Sequence, residues 1–276
     1  MDNSLRPGVY RAKYLVRHFQ ATYREIEAAA DQGFITRLRH GWYATEGADP
    51  RIVAAVRAGG IASCVTALDL VHVWVPPHFG DEVHVRKSKH GETVGIRRCH
   101  AFGPVPPTAA ALDTLPAALA SAARCMTEEQ WIAAVDNALN KRMITIADLE
   151  QAWGQTPEWV RSMLTKCDPR SQSGTETLVR LRLRALNFRV QVQPNIPTVG
   201  RVDLLLGRLI IECDSEAHHS QRTDRRNDYR RDRKSLIGRW PVLRVDYWDI
   251  IDCWPEILAD IRDITATDLH RRRRGA

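Results

Sequence analysis

The chain has 276 residues, of which 44% are hydrophobic and 26% charged, with a formal net charge of +7. That balance supports a sizeable core and excludes wholesale disorder. No apolar run approaches the ~20 residues that span a bilayer, so no membrane partner is expected. The start Met1-Asp2-Asn3-Ser4 has no basic-then-apolar pattern, which points to a cytoplasmic protein.

Residues 1–45 read as a winged-helix-like DNA-binding module. Val9 to Phe19 carries apolar residues at helical spacing, and Thr22 with Glu25 predicts a capping box for a helix from Tyr23 to Gln32. Phe34 to Arg39 and Trp42 to Ala44, around His40-Gly41, predict a basic hairpin. The second helix would enter a major groove, and Arg37 and Arg39 would touch phosphate. Residues 46–105 are a mixed α/β region: helices at 52–57 and 64–70, then strands at 71–75, 82–86 and 93–98. Residues 106–170 form a helical connector without evident chemistry, and 168–174 read as a polar linker.

Six cysteines, at 64, 99, 125, 167, 213 and 253, never approach CxxC spacing. A zinc ribbon or finger is not expected, and the cysteines read as reduced, buried small residues. Histidines 72, 84, 90 and 100 show no metal-ligand spacing either.

Residues 171–265 have the order helix, three strands, long charged helix, strand, helix, and 266–276 are a basic tail. Asp203 and Glu212-Cys213-Asp214 set carboxylates into otherwise apolar strands, which is costly unless something neutralises them. Alternation puts Glu212 and Asp214 on one face, and a hairpin would let Asp203 reach it. Three such oxygen ligands suit Mg²⁺ or Mn²⁺, which activates water against a phosphodiester. His218 or His219 could move a proton. Arg222, Arg226, Arg230 and Arg233, with Lys234, line one face of the following helix and suit phosphate. The last 106 residues carry +5 of the net charge.

These stretches, together with Ser173-Gly174-Thr175-Glu176, Gly200-Arg201-Val202-Asp203, Asp228-Tyr229-Arg230-Arg231-Asp232 and Gly238 to Val245, resemble the very-short-patch-repair-like branch of the PD-(D/E)xK nucleases. The resemblance covers about a third of the chain. It implies a restriction-endonuclease-like mixed sheet flanked by helices, with Asp203 as central metal ligand and Glu212 at the second acidic position. The Lys expected two residues later is replaced by Asp214, which turns attention to His218 or His219. The structural zinc cysteines of that branch have no counterpart here. The first ~165 residues resemble, more loosely, abortive-infection antitoxin-like proteins, through Arg37-Leu38-Arg39-His40-Gly41-Trp42-Tyr43-Ala44.

The expectation is therefore an α+β or α/β multidomain chain acting as a metal-dependent endonuclease on duplex DNA, in phage defence or a toxin–antitoxin-like setting. Asp203, Glu212 and Asp214 would hold the metal, Glu176 would orient water, and a homodimer stays open. The alternative is a non-enzymatic DNA-binding regulator or antitoxin with a degenerate nuclease fold.

Overall fold

The computed structural model describes residues 6–87, 95–103, 110–197, 199–214 and 240–266. The chain is mixed α/β and divides into two compact units. Unit 1 comprises 1–131 and 144–162, and unit 2 comprises 132–143 and 163–276. The segment 106–170 is thus shared between the units rather than standing apart. Among the described residues no helix is long and apolar enough to cross a membrane.

Unit 1 begins with β1 (Val9–Arg11), α1 (Ala12–Phe19), α2 (Tyr23–Asp31), β2 (Ile35–Arg39) and β3 (Trp42–Thr45). The predicted capping box is present: the Thr22 hydroxyl accepts from the Glu25 N–H, and the Glu25 carboxylate accepts from the Thr22 N–H. The hairpin also forms. One expectation fails, because Val9–Arg11 is a strand rather than the first turn of a helix. It pairs antiparallel with β3, Val9 opposite Ala44 and Tyr10 opposite Tyr43, to give the order β1-β3-β2. Pairing partners thirty residues away override local helical spacing. Ala12, Leu15, Ile26 and Tyr43 form the small core beneath.

The next layer is α3 (Pro50–Arg57), β4 (Gly60–Ala62), α4 (Cys64–Leu70), β5 (Val83–Lys87) and β6 (Ile96–Cys99). Strands run in the order β4-β5-β6, antiparallel then parallel. Gly60 is required by close approach, since a Cβ there would lie 2.2 Å from Val85 Cγ1 and 2.8 Å from the Arg86 carbonyl. The predicted strand at 71–75 does not form. Val71 and Val73 donate backward to Ala67 and Leu68 carbonyls at the end of α4, and His72 has φ +60°, so that run is a helix terminus.

Helices α5 (Leu115–Ala122), α6 (Glu128–Asn140), α7 (Ile146–Trp153) and α8 (Glu158–Leu164) follow, close to the predicted positions. In unit 1 the buried indoles find carbonyls: Trp131 Nε1 donates to Leu119 at 2.9 Å and Trp153 Nε1 to Pro116 at 2.8 Å. Arg86 forks onto Asp113 at 2.6 and 2.7 Å, tying β5 to the entry of α5.

Unit 2 is built on α9 (Gly174–Ala185) and a four-stranded sheet of β7 (Val190–Val192), β10 (Leu204–Leu206), β11 (Leu209–Cys213) and β12 (Val242–Val245). The short strands β8 (Asn195–Ile196) and β9 (Gly200–Arg201) make a separate hairpin between β7 and β10. Sheet order is β12-β11-β10-β7, with β11 and β12 parallel and the other pairs antiparallel. Helices α10 (Tyr247–Asp252) and α11 (Trp254–Ala266) close the described chain.

Leu178, Val179 and Leu183 of α9 are fully buried, each worth roughly 1.5–3 kcal/mol of burial. Arg180 is buried beside them and meets Asp136 at 2.6 Å. The Asp136 carboxylate also accepts from Thr177 Oγ1 and from the Asp168 N–H. Burial pushes Asp136 up to about 6, with Arg180 pulling the other way. The polar stretch 168–174 is therefore structural: Asp168 and Ser171 are buried within unit 2.

Candidate functional site: a carboxylate edge and a cysteine–histidine cluster

The predicted acidic residues gather at one end of the unit 2 sheet. Ladder register sets Leu204 opposite both Ile211 and Val192, so one step further Asp203 falls between Gln193 and Glu212. On the other side of Glu212, parallel pairing places Arg244 of β12. Glu212 and Arg244 are direct partners on β11 and β12 and so share a face, while Gln193 and Asp203, just outside β7 and β10, are joined by the Gln193 N–H donating to the Asp203 carbonyl at 2.8 Å. Asp203 itself sits in the break between β9 and β10, and Asp214 lies exposed just beyond β11.

Glu176 approaches these residues from the first turn of α9. Its position follows from the Ser173 capping box, in which the Ser173 hydroxyl accepts from the Glu176 N–H. The Glu176 carboxylate accepts from the Ser173 and Gln172 N–H groups and from Gln193 Nε2 at 2.8 Å. The same Gln193 nitrogen donates to Asp203 Oδ1 at 3.1 Å, while Asp203 Oδ2 accepts from the Cys213 N–H at 2.9 Å. These partners are all neutral. Burial and the Asp203 charge push Glu176 up to about 7.

Gln193 was not singled out by the sequence reading, yet it joins the two carboxylates. It is held at φ +52°, a left-handed conformation that a glutamine adopts only when its surroundings fix it. Arg201 Nε donates to its carbonyl oxygen, which fixes the amide orientation and aims the NH₂ at the acids. Cys213, fully buried, has its thiol pushed far up by burial and then by Asp203, Glu176, Glu212 and Asp214. Four carboxylates thus act electrostatically on one buried residue.

The donor set fits a hard cation: oxygen ligands with like charges converging at a sheet end. Among the described residues, however, these acids are not part of any group of three or more ligand atoms all within 4.8 Å of one another. His218, His219, Arg222, Arg226, Arg230, Arg233 and Lys234 lie outside the described residues, as do the long charged helix and the basic tail.

In unit 1 the two hairpin arginines differ. Arg37 is exposed. Arg39 stacks its guanidinium 5.3 Å over the Trp42 ring and donates to the Gly60 carbonyl at 3.3 Å, so it is engaged in packing. Burial and Arg11 lower its pKa. The expected groove helix, α2, exposes Arg24 but also Glu25, Glu27 and Asp31, a net negative face that phosphate repels. The basic exposed face belongs to α1, with Lys13, Arg17 and His18.

Unit 1 also contains a constellation that spacing did not reveal. Cys64, His84, Cys99 and Cys125 bring their ligand atoms all within 4.8 Å of one another, and they could hold a metal ion. His84 Nδ1 lies 3.3 Å from both Cys64 Sγ and Cys99 Sγ, and Cys125 Sγ lies 3.5 Å from Cys99 Sγ. Cys64, His84 and Cys99 are buried, and Cys125 is half-buried. Cys64 opens α4 at φ +52°, a strained conformation for a residue with a Cβ. The neighbouring Cys125 thiol, and burial, push Cys99 up to about 12, while Cys64 and Arg97 pull the other way. Cys125 is held well below the usual thiol range by its contacts with Cys64, Cys99 and His84, against the effect of burial.

These three cysteines are free and largely buried, as the sequence suggested; the structure adds that with His84 they could hold a metal ion, and segment 106–170 supplies one of them. Neighbouring ligands are 20, 15 and 26 residues apart in the chain. No local spacing carries that signal, because the fold alone joins the start of α4, the strand pair β5–β6 and the turn after α5. Compared with known proteins, the chain matches no family model and no curated protein.

Proposed function

We propose that the protein is a metal-dependent endonuclease acting on duplex DNA, with its reaction centre at the carboxylate edge of unit 2. The observation that carries this reading is the Glu176–Gln193–Asp203 chain close to Glu212, in which two acids share one carboxamide and, among the described residues, have no cation among their hydrogen-bond partners. Such an arrangement is electrostatically unfavourable by itself and becomes favourable with a divalent cation at the edge. The resemblance of residues 171–265 to very-short-patch-repair-like nucleases supports the same centre.

Asp203, Glu212 and Asp214 would hold Mg²⁺ or Mn²⁺, which when bound supplies Lewis acidity toward the phosphodiester and a lower pKa for water. The protein's own residues do the rest. Gln193 fixes the rotamers of Asp203 and Glu176, so neither must reorganise when substrate binds. Glu176, buried and pushed up to about 7, orients the attacking water and can take its proton near neutral pH. Arg244, in register beside Glu212, brings fixed positive charge to the edge, where a phosphate oxygen would sit. This guanidinium answers the lysine that Asp214 replaces.

Supercoiled plasmid incubated with the purified protein and Mg²⁺ or Mn²⁺ should be nicked or cut, and Asp203→Ala should abolish this. Cleavage that survives the substitution would refute the site. A second reading, a metal-independent DNA-binding regulator, is favoured by the missing lysine and by the spread of the acidic oxygens. It requires duplex binding without metal, no cleavage, and weaker binding on Arg37→Ala.

A further inference from the structure

We propose that Cys64, His84, Cys99 and Cys125 form a structural Zn²⁺ site in unit 1, independent of the nuclease reading. Zinc bound by three sulfurs and one nitrogen has Zn–S near 2.3 Å and Zn–N near 2.0–2.1 Å, so a tetrahedron spaces sulfurs ~3.8 Å apart and sulfur from nitrogen ~3.5 Å apart. The distances here are 3.5 Å for Cys99 to Cys125 and 3.3 Å from His84 Nδ1 to each of two sulfurs. The ligands therefore already surround a point of the right size, slightly contracted.

Hydrogen bonding alone accounts poorly for this geometry. Neutral imidazole offers one lone pair at Nδ1, yet two sulfurs sit at equal distance from it, and a third joins the group. A single ion at the centre satisfies all four at once. Sulfur–sulfur separation of 3.5 Å is also far beyond a disulfide bond, and all three cysteines are free. The strained φ of Cys64 is a second, independent sign, because strain of this kind persists where a ligand geometry fixes it.

Ligand chemistry selects the ion. Three soft thiolates and an imidazole in tetrahedral arrangement suit zinc rather than Mg²⁺ or Ca²⁺. A compact group within 4.8 Å fits one ion and not an iron–sulfur cluster, whose cysteines stand further apart. Four protein ligands, three of them buried, leave no open position for water or substrate, so the site is structural. Binding releases the thiol protons to solvent and leaves a site of net charge −1.

The consequence is a staple. One ion would join the β4–α4 junction, the β5–β6 pair and the turn between α5 and α6, reinforcing the β4-β5-β6 sheet and the Ser63–Ser121 hydroxyl contact that already ties the start of α4 to α5. Backbone ties support the same junction, with the Ser63 N–H on the His84 carbonyl and the His84 N–H on Thr66 Oγ1.

The test uses the full chain expressed with zinc in the medium. Elemental analysis should find about one zinc per chain, and X-ray absorption at the zinc edge should give three sulfurs and one nitrogen. Cobalt exchange should produce thiolate-to-metal charge transfer and the intense visible bands of a tetrahedral site. Cys125→Ser, the half-buried ligand, should weaken metal binding by more than the ~10–100-fold typical of losing an outer-shell partner. Cys253→Ser should leave it unchanged. A folded wild-type chain free of zinc, iron in its place, or a first shell dominated by oxygen would each overturn the proposal. Because the elemental and absorption measurements use wild type, failure of Cys125→Ser to fold does not blunt them.

Discussion

The acids of unit 2 come from residues 176–214, three of them from one strand pair and its flanks, while the sulfur and nitrogen ligands of unit 1 come from four separate elements. The first set runs from the buried Glu176 to the exposed Asp214 and is made of hard donors. The second is closed, largely buried and made of soft donors. The contrast separates two uses of charge in a fold. An exposed edge of carboxylates leaves coordination positions for a substrate, and a buried cluster of thiols fills every position with protein. Chemistry is expected at the first and rigidity at the second.

The sharpest way to break this contrast is Asp203→Ala. Cleavage should fall by at least about 10³-fold with zinc content unchanged, read by plasmid assay and elemental analysis on the same preparation. Next in size is Asp136→Ala, which strands the buried Arg180. It should cost unit 2 about 3–5 kcal/mol in urea unfolding, again without loss of zinc from unit 1. A loss of zinc in either variant would show that the two regions are not independent.

Glu176→Gln probes what the edge sacrifices in stability. The folded pKa of Glu176 is about 7 against an ordinary 4.5, so folding favours its neutral form. Its contribution is therefore greatest below about pH 4.5 and is lost as pH rises through 7, by about 2–3 kcal/mol in all. The glutamine variant should lack that decline, and metal-free unfolding at pH 5 and pH 8 measures it. Equal slopes for the two proteins would remove the electrostatic argument. Arg244→Ala should lower cleavage about 10- to 100-fold, with nearly unchanged stability. Smallest is Ser173→Ala, which removes the cap that sets Glu176. It should cost about 1 kcal/mol by thermal unfolding.

Much of the local architecture was legible. Thr22 with Glu25, Thr145 with Asp148 and Ser173 with Glu176 are reciprocal caps in the structure, because a cap depends only on residues three apart. Elements whose partners are distant were harder. Val9–Arg11 looked helical until its pairing with β3 was visible, and Val71–Val75 looked like a strand until its hydrogen bonds were seen to return to α4. Arg39, expected at phosphate, also stacks on Trp42, a contact no local pattern announced.

The sequence by itself determined the Thr22–Glu25 cap, the hydrophobic strands of unit 2 and the acids within and beside them, of which Glu212 lies in β11 while Asp203 and Asp214 fall just outside the strands. It did not determine Gln193, whose role depends on a cross-strand register and a left-handed backbone. Nor did it determine the grouping of Cys64, His84, Cys99 and Cys125. Ligands separated by 15 to 26 residues share no local pattern, and only the packing of four elements around one point brings their atoms within reach of a single ion.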